Sequence, residues 1–336
     1  MRKRLAVITT GGTIGEGLGG AKRYHAAGEV LLEPIRTLLP QLEVIVYDLL
    51  DLQSTHITLH HMLQIVQEIE RVVRNDGVEG IVVTHGTATL EESAYFADIT
   101  TRVKIPVVFT GAMRPSVIPG ADGPANLFHA LLVAASPSAF DIGAVVVMNE
   151  EIHLAREVTK HHSMSPSSFQ SPEFGPIGRV DEERVLLYRK PVIREHLDIS
   201  SVSARVELVK CTAGMSDLFV RAAIGGVDGL VIETLGSGQV FPGIMPALRE
   251  AIESGISIVA CSRCPAGRHL YTHYGLPHHR APGDEREVLD AGVVFSDLSG
   301  PKSRIKLAVA LSAGLSGEAL RDAFSVGWLP QDGPGG

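Results

Sequence analysis

The segment HGTATLEESAYF (85–96) follows the aliphatic run Ile81–Val83 and passes into a stretch with helical spacing. Thr89, followed three residues later by Glu92, fits a capping box, so a helix is expected to start at about Leu90. Thr87 and Ala88 then stand at its entrance, where unpaired N–H groups and the positive end of the dipole favour a carboxylate or a developing oxyanion. The plainer reading is that Gly86 and Thr87 only make a tight strand-to-helix turn. A threonine hydroxyl becomes a nucleophile only when a base activates it. The sequence offers Tyr24, His25 and Lys160 as partners. A lone lysine is ordinarily a solvated surface charge, so Lys160 has a role only if it faces Thr87.

Other patterns carry less. GEGLGG (15–20) satisfies G-x-G-x-x-G, which would suggest a dinucleotide site and a dehydrogenase. A genuine fingerprint joins a strand tightly to a helix, whereas here the strand ends near Thr9 and helical spacing resumes near Glu29, so a mobile lid is the better reading. CSRC (261–264) has no second CxxC to complete a zinc or redox site, and the histidine pairs His60-His61, His161-His162 and His278-His279 lack ligand spacing. No metal and no cofactor is expected.

The elements that must position these residues are legible as aliphatic runs at 5–9, 44–49, 80–86, 105–111 and 143–149, which read as parallel strands buried on both faces. Amphipathic stretches such as 59–75 alternate with them. Runs at 206–210, 229–236 and 255–262 and a helical stretch at 306–315 repeat the pattern. The expected fold class is α/β: a larger N-terminal, mainly parallel sheet flanked by helices, and a smaller C-terminal α/β domain. The expected boundaries are 1–185 for the first domain, 186–205 for a charged, proline-broken linker, and 206–336 for the second. Ligands of such sheets bind beyond the carboxyl ends of the strands, where TTGGTIG, THGTATLEE and TGAMRPSVIPGADGPANL fall.

The 336 residues carry a formal net charge of -8, which argues against nucleic acid. No apolar run is long enough for a signal peptide or a membrane span. Three cysteines, Cys211, Cys261 and Cys264, suit a reducing compartment. A cytoplasmic enzyme or binding protein is expected, without membrane partner.

TTGGTIG, THGTATLEESAYF, PVVFTGAMRPSVIPGADGPANL and REVTKHHSMSPSSF, in this order and spacing, resemble the bacterial-type L-asparaginases and glutaminase-asparaginases. GLVIETLGSG and ISIVACSRCPAG echo the family more weakly. The resemblance implies a cofactor-free enzyme that hydrolyses a side-chain amide to carboxylate and ammonia, working as a homodimer or homotetramer. It places the nucleophile on Thr10, the proton-handling pair on Thr87 and Lys160, and the lid residue on Tyr24 or His25. Substrate contacts fall on Gly11, Ser54, Thr55, Gly86 and Ala88, with Gly11 and Ala88 as main-chain oxyanion donors.

Three departures matter, the first being that the family's lid tyrosine usually precedes a glycine by three positions, where here His25 stands three before Gly28 and Tyr24 four before it. The family motif reads His-Gly-Thr-Asp-Thr, and Ala88 stands where the aspartate grips the substrate α-ammonium and pairs with the lysine. The second domain has GSGQVFPG in place of a Gly-Asn-Gly-Asn-like turn. Losing a hydrogen bond to a charged group costs roughly 1.5–3 kcal/mol, or about 10- to 150-fold in affinity. Free asparagine is therefore expected to bind poorly, and an amide without a free α-amino group to bind better, unless Glu91, Glu92 or Asp122 supplies the charge. Removing the anion also makes a neutral Lys160 easier to reach. The rival expectation is a catalytically silent ligand-binding homologue.

Overall fold

The computed structural model describes residues 2–15, 27–267, 282–283 and 285–325. Tyr24, His25, most of GEGLGG and the pair His278-His279 lie outside the described residues. Two compact units are present, Met1–His196 and Leu197–Gly336.

The first unit is built on an eight-stranded sheet. Its strands are β1 (Lys3–Thr9), β2 (Leu42–Asp48), β3 (Ile81–Thr84), β4 (Val107–Thr110), β5 (Ala144–Met148), β6 (Glu151–Leu154), β9 (Gly178–Asp181) and β10 (Arg184–Leu187). A separate ribbon pairs β7 (Thr159–Lys160) with β8 (Phe169–Gln170). The order across the large sheet is β10-β9-β6-β5-β4-β3-β1-β2. Pairing is parallel from β2 to β5 and antiparallel from β5 through β6 and β9 to β10.

The four parallel steps follow from their crossover helices: α1 (Ala27–Arg36), α2 (Leu59–Asp76), α3 (Leu90–Thr100) and α4 (Gly123–Ala135). Strands β3, β4 and β5 are buried at every residue, as expected of Val/Ile runs covered on both faces. Helix α2 turns Met62, Leu63, Ile65, Val66, Ile69 and Val72 inward. Gly77 closes it at φ 62° in the left-handed region.

The chain leaves β1 and crosses to β2 on one side, then returns to place β3 on the other. The sheet order therefore reverses between β1 and β3. In register, Thr9 faces Thr84 and Thr84 faces Thr110, so three strands end level with one another. This is why threonine and glycine recur after β1, β3 and β4: these loops all open at one crevice.

The antiparallel extension β6-β9-β10 completes a sheet whose parallel part runs from β2 to β5, in keeping with the mainly parallel expectation. Asn149 and Glu150, at φ 50° and 69°, turn β5 straight back into β6, and Glu182 at φ 54° turns β9 into β10. The stretch around DEER, at the end of the expected first domain, thus adds a hairpin to the sheet.

In the second unit β11 (Val206–Lys210), β12 (Gly229–Thr234), β13 (Ser257–Ser262) and β14 (Val294–Ser296) pair in parallel in chain order. Its helices are α5 (Leu218–Ala223), α6 (Met245–Glu253), α7 (Glu285–Asp290), α8 (Gly300–Ser312) and α9 (Gly317–Ser325). One apolar core gathers Leu230, Ile232, Ile244, Leu248, Ile258 and Val288. Burial pushes the Cys211 thiol up to about 11 and the Cys261 thiol up to about 12, so neither is a thiolate at neutral pH.

Candidate active site

Three loops meet at the crevice between β1 and β3. Thr10 directly follows β1, and both its N–H, at 3.1 Å, and its hydroxyl, at 2.9 Å, donate to the Thr84 carbonyl. With its hydrogen committed to that carbonyl, the Thr10 hydroxyl turns its lone pairs elsewhere. Gly12, at φ +86°, lies against Gly86: a Cβ on Gly12 would sit 2.4 Å from the Gly86 Cα. Gly11, at φ +98°, abuts the Leu52 carbonyl in the same way. Only glycine permits this approach of main chain to main chain.

His85 is fully buried, and its ring fixes the turn that presents Thr87. Nδ1 lies 2.8 Å from the Gly86 carbonyl and Nε2 lies 2.9 Å from the Ser93 hydroxyl. A carbonyl only accepts, so Nδ1 carries the proton and Nε2 accepts from Ser93. Burial holds the imidazole down to about 4, which keeps it neutral. The histidine of the opening motif therefore ties the strand end to helix α3 as a neutral imidazole.

Lys160 does face Thr87. Its Nζ donates to the Thr87 hydroxyl at 2.9 Å across 73 residues of sequence. The two-residue strand β7 carries the lysine, paired in register with Phe169. Its own N–H donates to Glu91 Oε2 at 2.6 Å. Burial lowers the pKa of the amine, and the Glu91 carboxylate pulls it partly back. The result is a lysine more easily made neutral than a solvated one, in contact with a hydroxyl.

The surroundings of Ala88 are specific. The residue is exposed, and its N–H donates to Ser54 Oγ at 3.2 Å. That donor is thus engaged by a side chain, where an open oxyanion contact was expected. Helix α3 begins at Leu90 with Thr89 in the cap position, as expected, yet the capping box is absent. Thr89 gives its hydroxyl hydrogen to the Ser54 carbonyl at 2.8 Å, a partner that sequence alone cannot supply. Ser54 is buried and linked to this turn twice, whereas its neighbour Thr55 is exposed.

Asp122 and Asn126 complete the frame. The Asp122 carboxylate accepts from the Met113 and Arg114 N–H groups, at 3.0 and 2.8 Å. Asn126 is buried, gives its amide hydrogens to the Gly111 carbonyl and to Asp122, and accepts from the Asn149 N–H at 2.9 Å. It clamps the ends of β4 and β5. Sequence reading passed over it because an Asn in a helix carries no pattern until its partners are in place. Among the described residues no group of three His, Cys, Asp or Glu side chains is placed to hold a metal ion, and no helix is long and apolar enough to cross a membrane.

Comparison with known proteins places the chain among relatives of one family. The profile described as asparaginase, N-terminal, matches residues 4–193, and that described as glutaminase/asparaginase C-terminal domain matches residues 205–324. The chain is 37% identical over 329 residues to an L-asparaginase of Bacillus licheniformis, covering 96% of this chain and 99% of that one. It is 32% identical to L-asparaginase 2 of Escherichia coli, covering 96% and 92%, and 31% identical to a glutaminase-asparaginase of Pseudomonas aeruginosa, covering 95% and 89%. The crystal structure of a probable cytoplasmic L-asparaginase from Campylobacter jejuni superposes with a TM-score of 0.85 at 27% identity, covering 96% of this chain and 99% of the other.

Proposed function

Because this chain belongs to the glutaminase/asparaginase family of amidohydrolases, we propose that it hydrolyses a side-chain amide by threonine chemistry, on a substrate that need not carry a free α-ammonium group. One observation carries the reading: the 2.9 Å contact of Lys160 with Thr87 at the switch point of the sheet where Thr10 also lies.

In the proposed sequence Thr10 Oγ attacks the amide carbon, forming a C–O bond and a tetrahedral oxyanion. The proton released passes through Thr87 and Lys160 to the leaving nitrogen, the C–N bond breaks, and ammonia departs. Water, losing a proton to the same pair, then cleaves the Thr10 ester, giving the carboxylate and restoring the hydroxyl. A neutral Lys160 is needed to take a proton, and its lowered pKa favours that form. No cofactor enters these steps.

The substrate follows from Ala88. In the resembled motif this position supplies the anion for an α-ammonium, and here a methyl group faces solvent. An acylated asparagine or an asparagine in peptide linkage loses nothing at this contact, whereas free asparagine loses a charge-assisted hydrogen bond. Ser54 and Gly86 remain candidates for the rest of the substrate, and Tyr24 or His25 for the lid. A cytoplasmic homodimer or homotetramer is the setting we assign. Ammonia release from L-asparagine and from N-acetyl-L-asparagine tests the reading: the acetylated amide is expected to have the higher kcat/KM, and a marked preference for the free amino acid would overturn the substrate assignment.

A further inference from the structure

We propose that Glu91 is the positioning residue for Lys160: its carboxylate anchors the strand segment that aims Nζ at Thr87 and supplies the negative charge that Ala88 cannot. The inference rests on the proposed hydrolytic role of the Thr87–Lys160 pair and concerns how that pair is held and charged.

The argument starts from the elements. Helix α3 presents Glu91 in its first turn, and Thr87 lies in the turn that leads into that helix, so the hydroxyl and the carboxylate stand four residues apart at one helix entrance. Strand β7 has only two residues and one sheet partner, β8, so its pairing alone fixes Lys160 weakly. The Glu91 carboxylate supplies the missing constraint by accepting the Lys160 N–H at 2.6 Å, a short, charge-assisted bond. The lysine is thereby gripped at its main chain by Glu91 while its side chain reaches Thr87.

The charge acts as well. Glu91 is the anion felt by the Lys160 amine, raising an affinity for protons that burial lowers. From β8, Phe169 brings no charge. His161 and His162 follow Lys160 and are exposed, and Glu92 is the next residue on α3. A carboxylate bound to the main-chain N–H, and not to Nζ, leaves the amine free to contact Thr87 while keeping a counter-charge close.

Substitution separates anchor from charge. Glu91→Gln keeps an oxygen that accepts the Lys160 N–H but removes the charge; Glu91→Asp keeps the charge but withdraws it from the N–H. Lys160 reactivity is read directly by acetic anhydride labelling of the folded protein across pH, with peptide mass spectrometry and Lys3 and Lys104 as internal references. In Glu91→Gln the half-labelling pH of Lys160 is expected to fall by about 1 pH unit, and the acid limb of kcat to move with it. In Glu91→Asp the half-labelling pH is expected to stay near wild type while kcat drops about tenfold as the anchor weakens. An unchanged Lys160 labelling curve in Glu91→Gln would overturn the inference. Failure of the wild type to release ammonia from any amide would instead reject the hydrolytic reading, and the labelling curves would still decide the role of Glu91.

Discussion

Lys160 and Thr87 lie 73 residues apart in sequence and 2.9 Å apart in space, amine to hydroxyl. Everything around them serves that contact: Glu91 on the lysine main chain, His85 under the turn, and Gly12 against Gly86. Replacing Lys160 by Met removes the proton carrier while keeping the apolar stem, and kcat is expected to fall by about 10²–10⁴ with little change in melting temperature. Lys160→Arg is expected to fare no better, because a guanidinium does not become neutral. Steady-state ammonia release beside thermal melting checks both.

Ala88→Asp restores a carboxylate at the helix entrance. The kcat/KM ratio of L-asparagine to N-acetyl-L-asparagine is expected to rise by about 10- to 150-fold relative to wild type, the contribution of one charge-assisted hydrogen bond. A ratio that does not move would show that position 88 does not read the α-ammonium.

Gly12→Ala forces a Cβ to within 2.4 Å of the Gly86 Cα at a positive φ. The two loops must part, at a cost of about 1–3 kcal/mol in strain, and Thr10 moves away from Thr87. Loss of stability in denaturant unfolding together with loss of kcat is the expected pair of results; full activity would mean the close approach is dispensable.

The acid stability of the protein reflects two buried groups that pull in opposite directions. His85 is held down to about 4, below its unfolded value of 6.5, so the unfolded chain binds more protons between these values and the contribution of His85 is lost as pH falls. Asp98, which accepts the Ala144 N–H at 2.8 Å, is raised by burial to about 6. The folded chain therefore binds more protons than the unfolded one from about pH 4 to pH 6, and its contribution is lost as pH rises through that window. Each linkage is on the order of 3 kcal/mol. Asp98→Asn, whose carbonyl still accepts the Ala144 N–H, removes the second term. Its unfolding free energy is expected to fall more steeply than wild type from pH 6 to pH 4 in urea titrations; parallel curves would contradict the assignment.

Much of the molecule is legible in the sequence because burial on both faces writes itself as unbroken Val/Ile runs. The strands β1, β3, β4 and β5 stand out in this way, and the long helix α2 stands out by its one-sided apolar spacing. The strands β6, β9 and β10 do not: each has four residues, and their turns rest on Asn149, Glu150 and Glu182 at positive φ, with no glycine to announce them. At the site, Thr10, Thr87 and Lys160 stand out by type and by family resemblance. Their mutual placement depends on β7, too short to carry a pattern. The absent capping box at Thr89 has the same origin, since the competing acceptor, the Ser54 carbonyl, comes from 35 residues away. Short local signals fail wherever a partner from another loop wins the hydrogen bond.

The most direct measurement is ammonia release from a panel of L-asparagine, L-glutamine and N-acetyl-L-asparagine by wild type, Thr10→Ala and Lys160→Met. The account predicts turnover of at least one amide by the wild type and loss of at least about 10²-fold in each variant, all three proteins melting alike. A wild type silent on every amide, or variants that turn over at the wild-type rate, would contradict it.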